Sequence, residues 1–283
     1  MRRTYYYTIY DLRVSLYSFK KDGDELEYDF KWFKQKVYEL SSIDLNKYKE
    51  QQMERRITTL VYRRMKLDYK EFYELISKDT YELNNFIEYL TINVSEFFRN
   101  PEQWVLLKEQ IIPRVREGKG KIKVWSSACS TGEEPYSLAM ILDELLPPNS
   151  YEIIASDLDK AVLKKAEQGI YRLQNFDVIP NNYKKWFTYL GDERYAISDT
   201  IKSRVTFKQL DLLKDAYPRD VDLILCRNVL IYLIEEAKDE IYVKFSRSLV
   251  KKGILFVGSS EQIVNCKQFG LEAIKTYFYE KMC

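Results

Sequence analysis

Histidine is absent from this 283-residue sequence. Its absence removes the commonest general base near neutral pH, and with it most hydrolase and dehydrogenase schemes built on imidazole. Cysteine is scarce: Cys129, Cys226, Cys266 and Cys283 are widely and irregularly spaced, with no C-x-x-C pair. With no histidine to complete a ligand set, no metal site is expected, and the four thiols fit a reducing compartment. No run of about 18 apolar residues occurs, so membrane insertion is not expected. The N-terminal MRRTYYYTIYDLRVSLYSFKK lacks the apolar stretch and small-residue cleavage site of a signal peptide, which points to the cytoplasm. An excess of one charge is also missing. Forty-five basic against 43 acidic residues leave a formal +2, too balanced for a general nucleic-acid or membrane-surface binder, so any basic footprint is local.

What is present suits a folded chain. The hydrophobic share of 46% lies far from the composition of disordered segments and supports a main domain with a smaller module. Residues 1–27 are tyrosine-rich and charged, with no amphipathic period and a loop-like KKDGDELE at 20–27; they read as an N-terminal extension. Residues 28–92 read as a small all-α domain. Apolar residues recur there at three and four, as in Phe30, Phe33, Val37 and Leu40, then Met53, Ile57 and Leu60, then Phe72, Leu75 and Ile76.

From about residue 93 to 283, short β-rich runs alternate with helical stretches: KIKVWSSA, PYSLAMILDELL, YEIIASDLD, AVLKKAEQGI, RVTFKQLD, VDLILCRN, EEAKDEIYVKFSRSLV and GILFVGSSE. A closing strand is expected near TYFYEK. The pattern predicts an α/β domain with an open, mainly parallel, Rossmann-like sheet. Residues of about 171–203 interrupt it with short aromatic-studded pieces and a turn at Gly191-Asp192, which predicts a small antiparallel β insert.

The polar residues that follow each strand define the candidate site, because an α/β sheet opens its ligand crevice at the strand carboxyl ends. After the first strand comes Cys129-Ser130-Thr131-Gly132-Glu133-Glu134-Pro135. One glycine and two carboxylates replace the G-x-G-x-x-G of dinucleotide folds; they repel phosphate and suit an ammonium or sulfonium ligand. A solvated helix start with first-turn acids is the plainer alternative. After the second strand comes Asp157-Leu158-Asp159, about 25 residues beyond the turn. Asp157 is placed to accept both ribose hydroxyls, whereas Asp159 suits a helix cap. Asp211 follows the strand RVTFKQ and could receive an adenine amine, and Arg227-Asn228 follow VDLILC at the same rim.

Four segments in order, Asn93-Val94-Ser95-Glu96-Phe97-Phe98-Arg99, Cys129 to Ser137, Ala155-Ser156-Asp157-Leu158-Asp159 and Cys226-Arg227-Asn228-Val229-Leu230-Ile231-Tyr232, resemble the successive motifs of the CheR-type chemotaxis receptor methyltransferases. The resemblance covers about Tyr28 to Lys281. It implies a helical domain followed by a Rossmann-like domain with a β-subdomain, using S-adenosyl-L-methionine and releasing S-adenosyl-L-homocysteine. It also implies that Asn93, Ser95, Arg99, Glu134, Asp157, Asp211, Leu212, Arg227 and Asn228 line the donor pocket. Ser95 stands where other members carry threonine. Glu133 could exchange roles with Glu134. The implied reaction esterifies a receptor glutamate, and Arg99 and Tyr232 fall near the transferred methyl group. Two other readings use the same donor pocket: a methyltransferase of a different acceptor, such as RNA or a small carboxylate, and a receptor-binding adaptor without turnover.

Between Gln51 and Lys66, Arg55, Arg56, Arg63, Arg64 and Lys66 stand against a single acid, Glu54. On an ordinary helix Arg56 and Arg63 share a face. The resemblance makes this basic face a contact for the acidic cytoplasmic helical bundle of a receptor, and it is expected to lie apart from the donor pocket. Some family members also hold a receptor C-terminal pentapeptide on a longer glycine-containing loop. Here Tyr189-Leu190-Gly191-Asp192-Glu193-Arg194-Tyr195 is short, and that tether is not carried over.

Overall fold

The computed structural model describes residues 28–91 and 93–282. The tyrosine-rich extension, its loop at 20–27 and Cys283 lie outside the described residues. Helix α1 (Phe30–Ser41) starts where the Asp29 carboxylate accepts the Trp32 amide at 2.7 Å. Helix α2 (Glu50–Thr58) continues into a π-helical stretch, Thr59–Met65. Helix α3 (Tyr69–Lys78) opens with a reciprocal capping box between Asp68 and Glu71, and α4 (Thr80–Leu90) is capped by Asp79. Together they enclose an aromatic core in which Phe72 and Phe86 meet edge to face at 5.3 Å around a fully buried Phe33. The expected stripe Met53, Ile57, Leu60 becomes Met53, Ile57, Val61, with Leu60 only partly buried. The cause is the π-helical stretch, whose wider turn moves the next inward position on by one residue.

Helix α5 (Pro101–Leu106) runs through a second π-helical stretch, Leu107–Ile111, into α6 (Ile112–Arg116) and delivers the chain to the sheet. The alternation is then β1 (Ile122–Ser126), α7 (Glu133–Leu145), β2 (Tyr151–Asp157), α8 (Lys160–Gln168), β3 (Ile170–Arg172), β4 (Phe187–Gly191) and β5 (Arg194–Ile197). A short α9 (Asp199–Lys202) precedes β6 (Val205–Gln209), β7 (Val221–Cys226), α10 (Glu235–Ser248), β8 (Leu249–Val257), β9 (Leu271–Lys275) and β10 (Phe278–Lys281). Seven strands form one sheet in the order β6-β2-β1-β7-β8-β10-β9. The first five are parallel and β10 runs antiparallel to both its neighbours. Side chains alternate between two apolar layers: Val124, Ile153 and Leu225 pack towards α7, while Trp125, Ile154 and Ile224 pack towards α10. β1 lies between β2 and β7, so the strand order reverses there and the crevice opens at its carboxyl end.

A separate three-stranded antiparallel sheet, β3-β5-β4, is sealed by Phe176 stacked on Tyr195 at 4.2 Å. Its hairpin turns at Asp192-Glu193, both with positive φ, one residue later than the Gly191-Asp192 expected. The helical domain is fastened to the sheet by Lys47–Lys49. Tyr48 bridges Leu233, the Lys49 amide donates to the Tyr232 carbonyl at 2.9 Å, and the Ile234 amide to the Lys47 carbonyl at 3.0 Å. Among the described residues no helix is long and apolar enough to cross a membrane.

Candidate functional site

The turn after β1 is shaped by Gly132, at φ +97, where a Cβ would lie 2.9 Å from the Ala166 Cβ and 3.0 Å from the Tyr171 hydroxyl. Only glycine lets α7 start this close to α8. The two acids that follow sit one residue apart on a helix and therefore point about 100° apart. Glu134 faces the crevice, where its oxygens accept from the Ser126 hydroxyl at 2.8 Å and the Arg227 guanidinium at 3.4 Å. Burial pushes its carboxyl upward against the pull of Arg227 and Ser126. Glu133, the other candidate, accepts from the Thr131 hydroxyl at 2.7 Å and is not among the residues that line the cavity.

Asp157, at the end of β2, is buried and accepts the Ser130 amide at 2.8 Å and the Asp159 amide at 3.1 Å. Burial pushes its carboxyl above the usual aspartate range, with those amide bonds opposing. Asp159 caps α8 through the Ala161 amide, and its other oxygen receives the Asn93 side-chain amide at 3.2 Å, fixing Asn93 at the cavity wall. Asp211 accepts the Leu213 amide at 2.8 Å and so holds its own loop in shape beside Leu212.

Arg99 sits between two residues in the left-handed region, Phe98 at φ +51 and Asn100 at φ +58. A buried phenylalanine held there is strained, and strain of this kind collects at functional sites. Three contacts maintain it. The Arg99 carbonyl accepts from the Trp104 indole at 2.9 Å and from Arg227 at 2.8 Å, and the Phe98 amide donates to the Ser137 hydroxyl at 3.1 Å. Arg227, expected to touch the donor, lines the cavity; its two terminal guanidinium nitrogens bond the Arg99 carbonyl, Asn100, Gln103 and Glu134, while its buried Nε has no partner. It holds the Arg99 turn to Glu134.

These side chains converge on one cavity of about 470 Å³. It brings together Asn93, Ser95, Arg99, Glu134, Asp157, Asp211, Leu212, Arg227, Asn228 and Tyr232. The helical domain supplies the facing wall, including Tyr48, Met53, Arg55 and Arg56. The basic face is therefore not separate from the pocket. Arg56 donates to the Tyr89 carbonyl at 2.8 Å and lies over the Tyr89 ring at 4.5 Å, while Arg63, Arg64 and Lys66 are exposed outside the cavity. The π-helical stretch between Arg56 and Arg63 breaks the seven-residue spacing that would have aligned them.

Glu261 is a further acid at this rim. Buried just beyond β8, its carboxylate accepts three backbone amides: Asn228 at 2.6 Å, Leu230 at 2.7 Å and Gly258 at 2.9 Å. It thereby holds Asn228 in a left-handed conformation and shapes the turn that carries Tyr232. Gly258 is required beside it, since a Cβ would lie 2.5 Å from Oε2 of Glu261. The run Gly258-Ser259-Ser260-Glu261 after an apolar strand is the same kind of signal that identified the other acids. The Ser130 hydroxyl is buried without a partner at the cavity wall.

The cavity fits S-adenosylmethionine: carboxylates for the ammonium, ribose and adenine amine, leucine side chains for the base, and no phosphate cradle. Among the described residues no cluster of metal-binding side chains occurs. Residues 93–278 match the family described as CheR methyltransferase, SAM binding domain, and residues 28–91 the one described as CheR methyltransferase, all-alpha domain. Over 258 residues the chain is 40% identical to a chemotaxis protein methyltransferase of Listeria innocua, covering 91% of this chain and 98% of that protein. It is 32% identical to the chemotaxis protein methyltransferase of Borreliella burgdorferi, covering 87% of this chain and 91% of the relative. It is likewise 32% identical to that of Escherichia coli, covering 89% and 91%.

Proposed function

Because the chain belongs to the CheR methyltransferase family and is thus an S-adenosylmethionine-dependent methyltransferase of chemotaxis, we propose that it esterifies glutamate side chains on the cytoplasmic helical bundle of chemotaxis receptors. The observation that carries this reading is the meeting of Arg99 and Tyr232 with Glu134, Asp157, Asp211 and Asn228 in one cavity. The donor, when bound, supplies an electrophilic methyl group on a sulfonium. Glu134, Asp157, Asp211 and Asn228 bind and orient it from the sheet, with Asn93 and Ser95 from the linker.

The acceptor needs no base. A glutamate of ordinary pKa near 4.3 is already ionised at neutral pH, so a site without histidine loses nothing. Arg99 can hold a carboxylate oxygen through its fork of donors, and Tyr232 borders the same space. Carboxylate and sulfonium charges cancel as the bond forms, so water stabilises the reactants more than the transition state. Excluding water and fixing both partners in line are then the main work, with effective molarity worth up to about 7–11 kcal/mol. Arg55, Arg63, Arg64 and Lys66 are exposed and suit an acidic partner. The small sheet turns in two residues, and no pentapeptide tether is assigned to it.

Incubation with radiolabelled donor and a receptor cytoplasmic fragment, followed by base, should release volatile methanol. Label that stays on the receptor through base treatment, or label that reaches only RNA, would sink the ester assignment.

A further inference from the structure

We propose that Tyr48, from the helical domain, holds the adenosine end of the donor, an inference that rests on the methyltransferase reading above. Tyr48 follows a one-turn 3₁₀ helix, Leu45–Lys47, and its backbone is pinned to the sheet domain on both sides of the ring. The Lys47 carbonyl receives the Ile234 amide at 3.0 Å, the Lys49 amide reaches the Tyr232 carbonyl at 2.9 Å, and Lys47 Nζ pairs with Glu240 at 2.7 Å. The ring is thus fixed at the boundary between domains. It packs partly buried against both apolar clusters, as Leu212 and Leu213 do against that of the sheet domain, while Leu158, just past β2, packs against that of the helical domain.

Those leucines and Tyr48 line the cavity together with Asp157 and Asp211. Burial pushes the Tyr48 phenol above its ordinary range, and the charges of Asp211 and Asp157 push the same way. A planar, weakly polar base is held best between flat apolar surfaces with acceptors at its edge. The sheet domain offers the acceptors and a leucine surface on one side. An aromatic surface on the other has to come from the helical domain, and Tyr48 is the aromatic residue which that domain contributes to the lining. Donor binding would therefore engage both domains at once.

Calorimetry on the full chain distinguishes the possibilities, with S-adenosylhomocysteine and with 5′-methylthioadenosine, which carries the adenosine end alone. Tyr48→Ala should weaken both ligands by at least about tenfold, and by the same factor. Tyr48→Phe should stay within about threefold of wild type, because the ring rather than the hydroxyl carries the contact. Should Tyr48→Ala fail to melt cooperatively, Tyr48→Leu keeps apolar volume at the domain boundary and should lose about fivefold. Wild-type affinity in the alanine or leucine variant, or a loss for S-adenosylhomocysteine that 5′-methylthioadenosine does not share, overturns the assignment. A wild-type chain that binds neither ligand would instead overturn the methyltransferase reading beneath it.

Discussion

The two walls of the cavity are built on different terms. On the sheet side almost every functional group is immobilised by a polar partner: Asp157 by two amides, Glu134 by Ser126 and Arg227, and the Asn228 turn by three amides on Glu261. On the helical side the lining residues come mainly from one helix and the short segment before it, and a few backbone bonds at Lys47–Lys49 fasten that segment to the sheet domain. Chemistry depends on angles and distances, so its residues sit in a preorganised frame. Recognition of a charged partner depends more on the sign and placement of exposed charge, and it tolerates looser support.

Breaking the first wall should have the larger effect. Asp157→Ala is expected to weaken S-adenosylhomocysteine by about 1.5–3 kcal/mol, through lost charge-assisted bonds. The sign of its pH dependence follows from its environment. Burial raises the Asp157 carboxyl, so in the free protein it takes up a proton at a pH where an exposed aspartate stays ionised. Accepting ribose hydroxyls on both oxygens requires the ionised form. Affinity should therefore fall on acidification, beginning above the ordinary aspartate range, and Asp157→Asn should flatten that decline in a calorimetric series. An unchanged affinity in folded Asp157→Ala removes this residue from the site.

A smaller effect, at least about tenfold in turnover with the fold intact, is expected for Arg99→Ala, because Arg99 is assigned to orienting the acceptor or closing over the donor. Stopped assays at saturating donor check it; wild-type turnover would make Arg99 a surface anchor. The mildest and most informative change is on the second wall. Arg63→Glu combined with Arg64→Glu, outside the cavity, should slow methylation at subsaturating receptor by several-fold, and the wild-type rate should fall with salt as exposed charges are screened beyond about 8 Å. Donor affinity should stay put. Arg56 is unsuited to this test, since it lines the cavity and is bonded to Tyr89. Equal rates at all salt concentrations would leave the basic helix as a solvated face.

How far the site could be read in advance followed the same division. Strands such as VDLILC announce themselves by continuous burial, and the polar residues just past them mark the rim, so Asp157, Asp211 and Asn228 were visible as residues of one edge. Glu261 obeyed that logic too but stood four residues beyond its strand, behind Gly258-Ser259-Ser260. β9 was missed because LEAIK exposes most of its side chains at the sheet edge and carries little apolar signal. The hairpin turn slipped by one because glycine is the usual occupant of a positive φ, and here Asp192 and Glu193 take that role as well. Tyr48 gave no warning at all. It lies in a break between helices, where no period exists to read, and its neighbours Leu158, Leu212 and Leu233 are far away in sequence.

The π-helical stretch at Thr59–Met65 holds one residue more than an α-helix of the same length needs. It acts as a phase shifter along the basic helix. Upstream, residues are keyed to the donor cavity; downstream, the exposed arginines are keyed to solvent and to whatever docks there. Wound instead as a regular α-helix, the same residues would carry the arginines by about one residue's angle, roughly 100°, round against the upstream set. Core and cavity fix the upstream phase, so the arginines would be the part that rotates. The direction in which the exposed arginines point is thus set by a helix defect rather than by the identity of the side chains themselves.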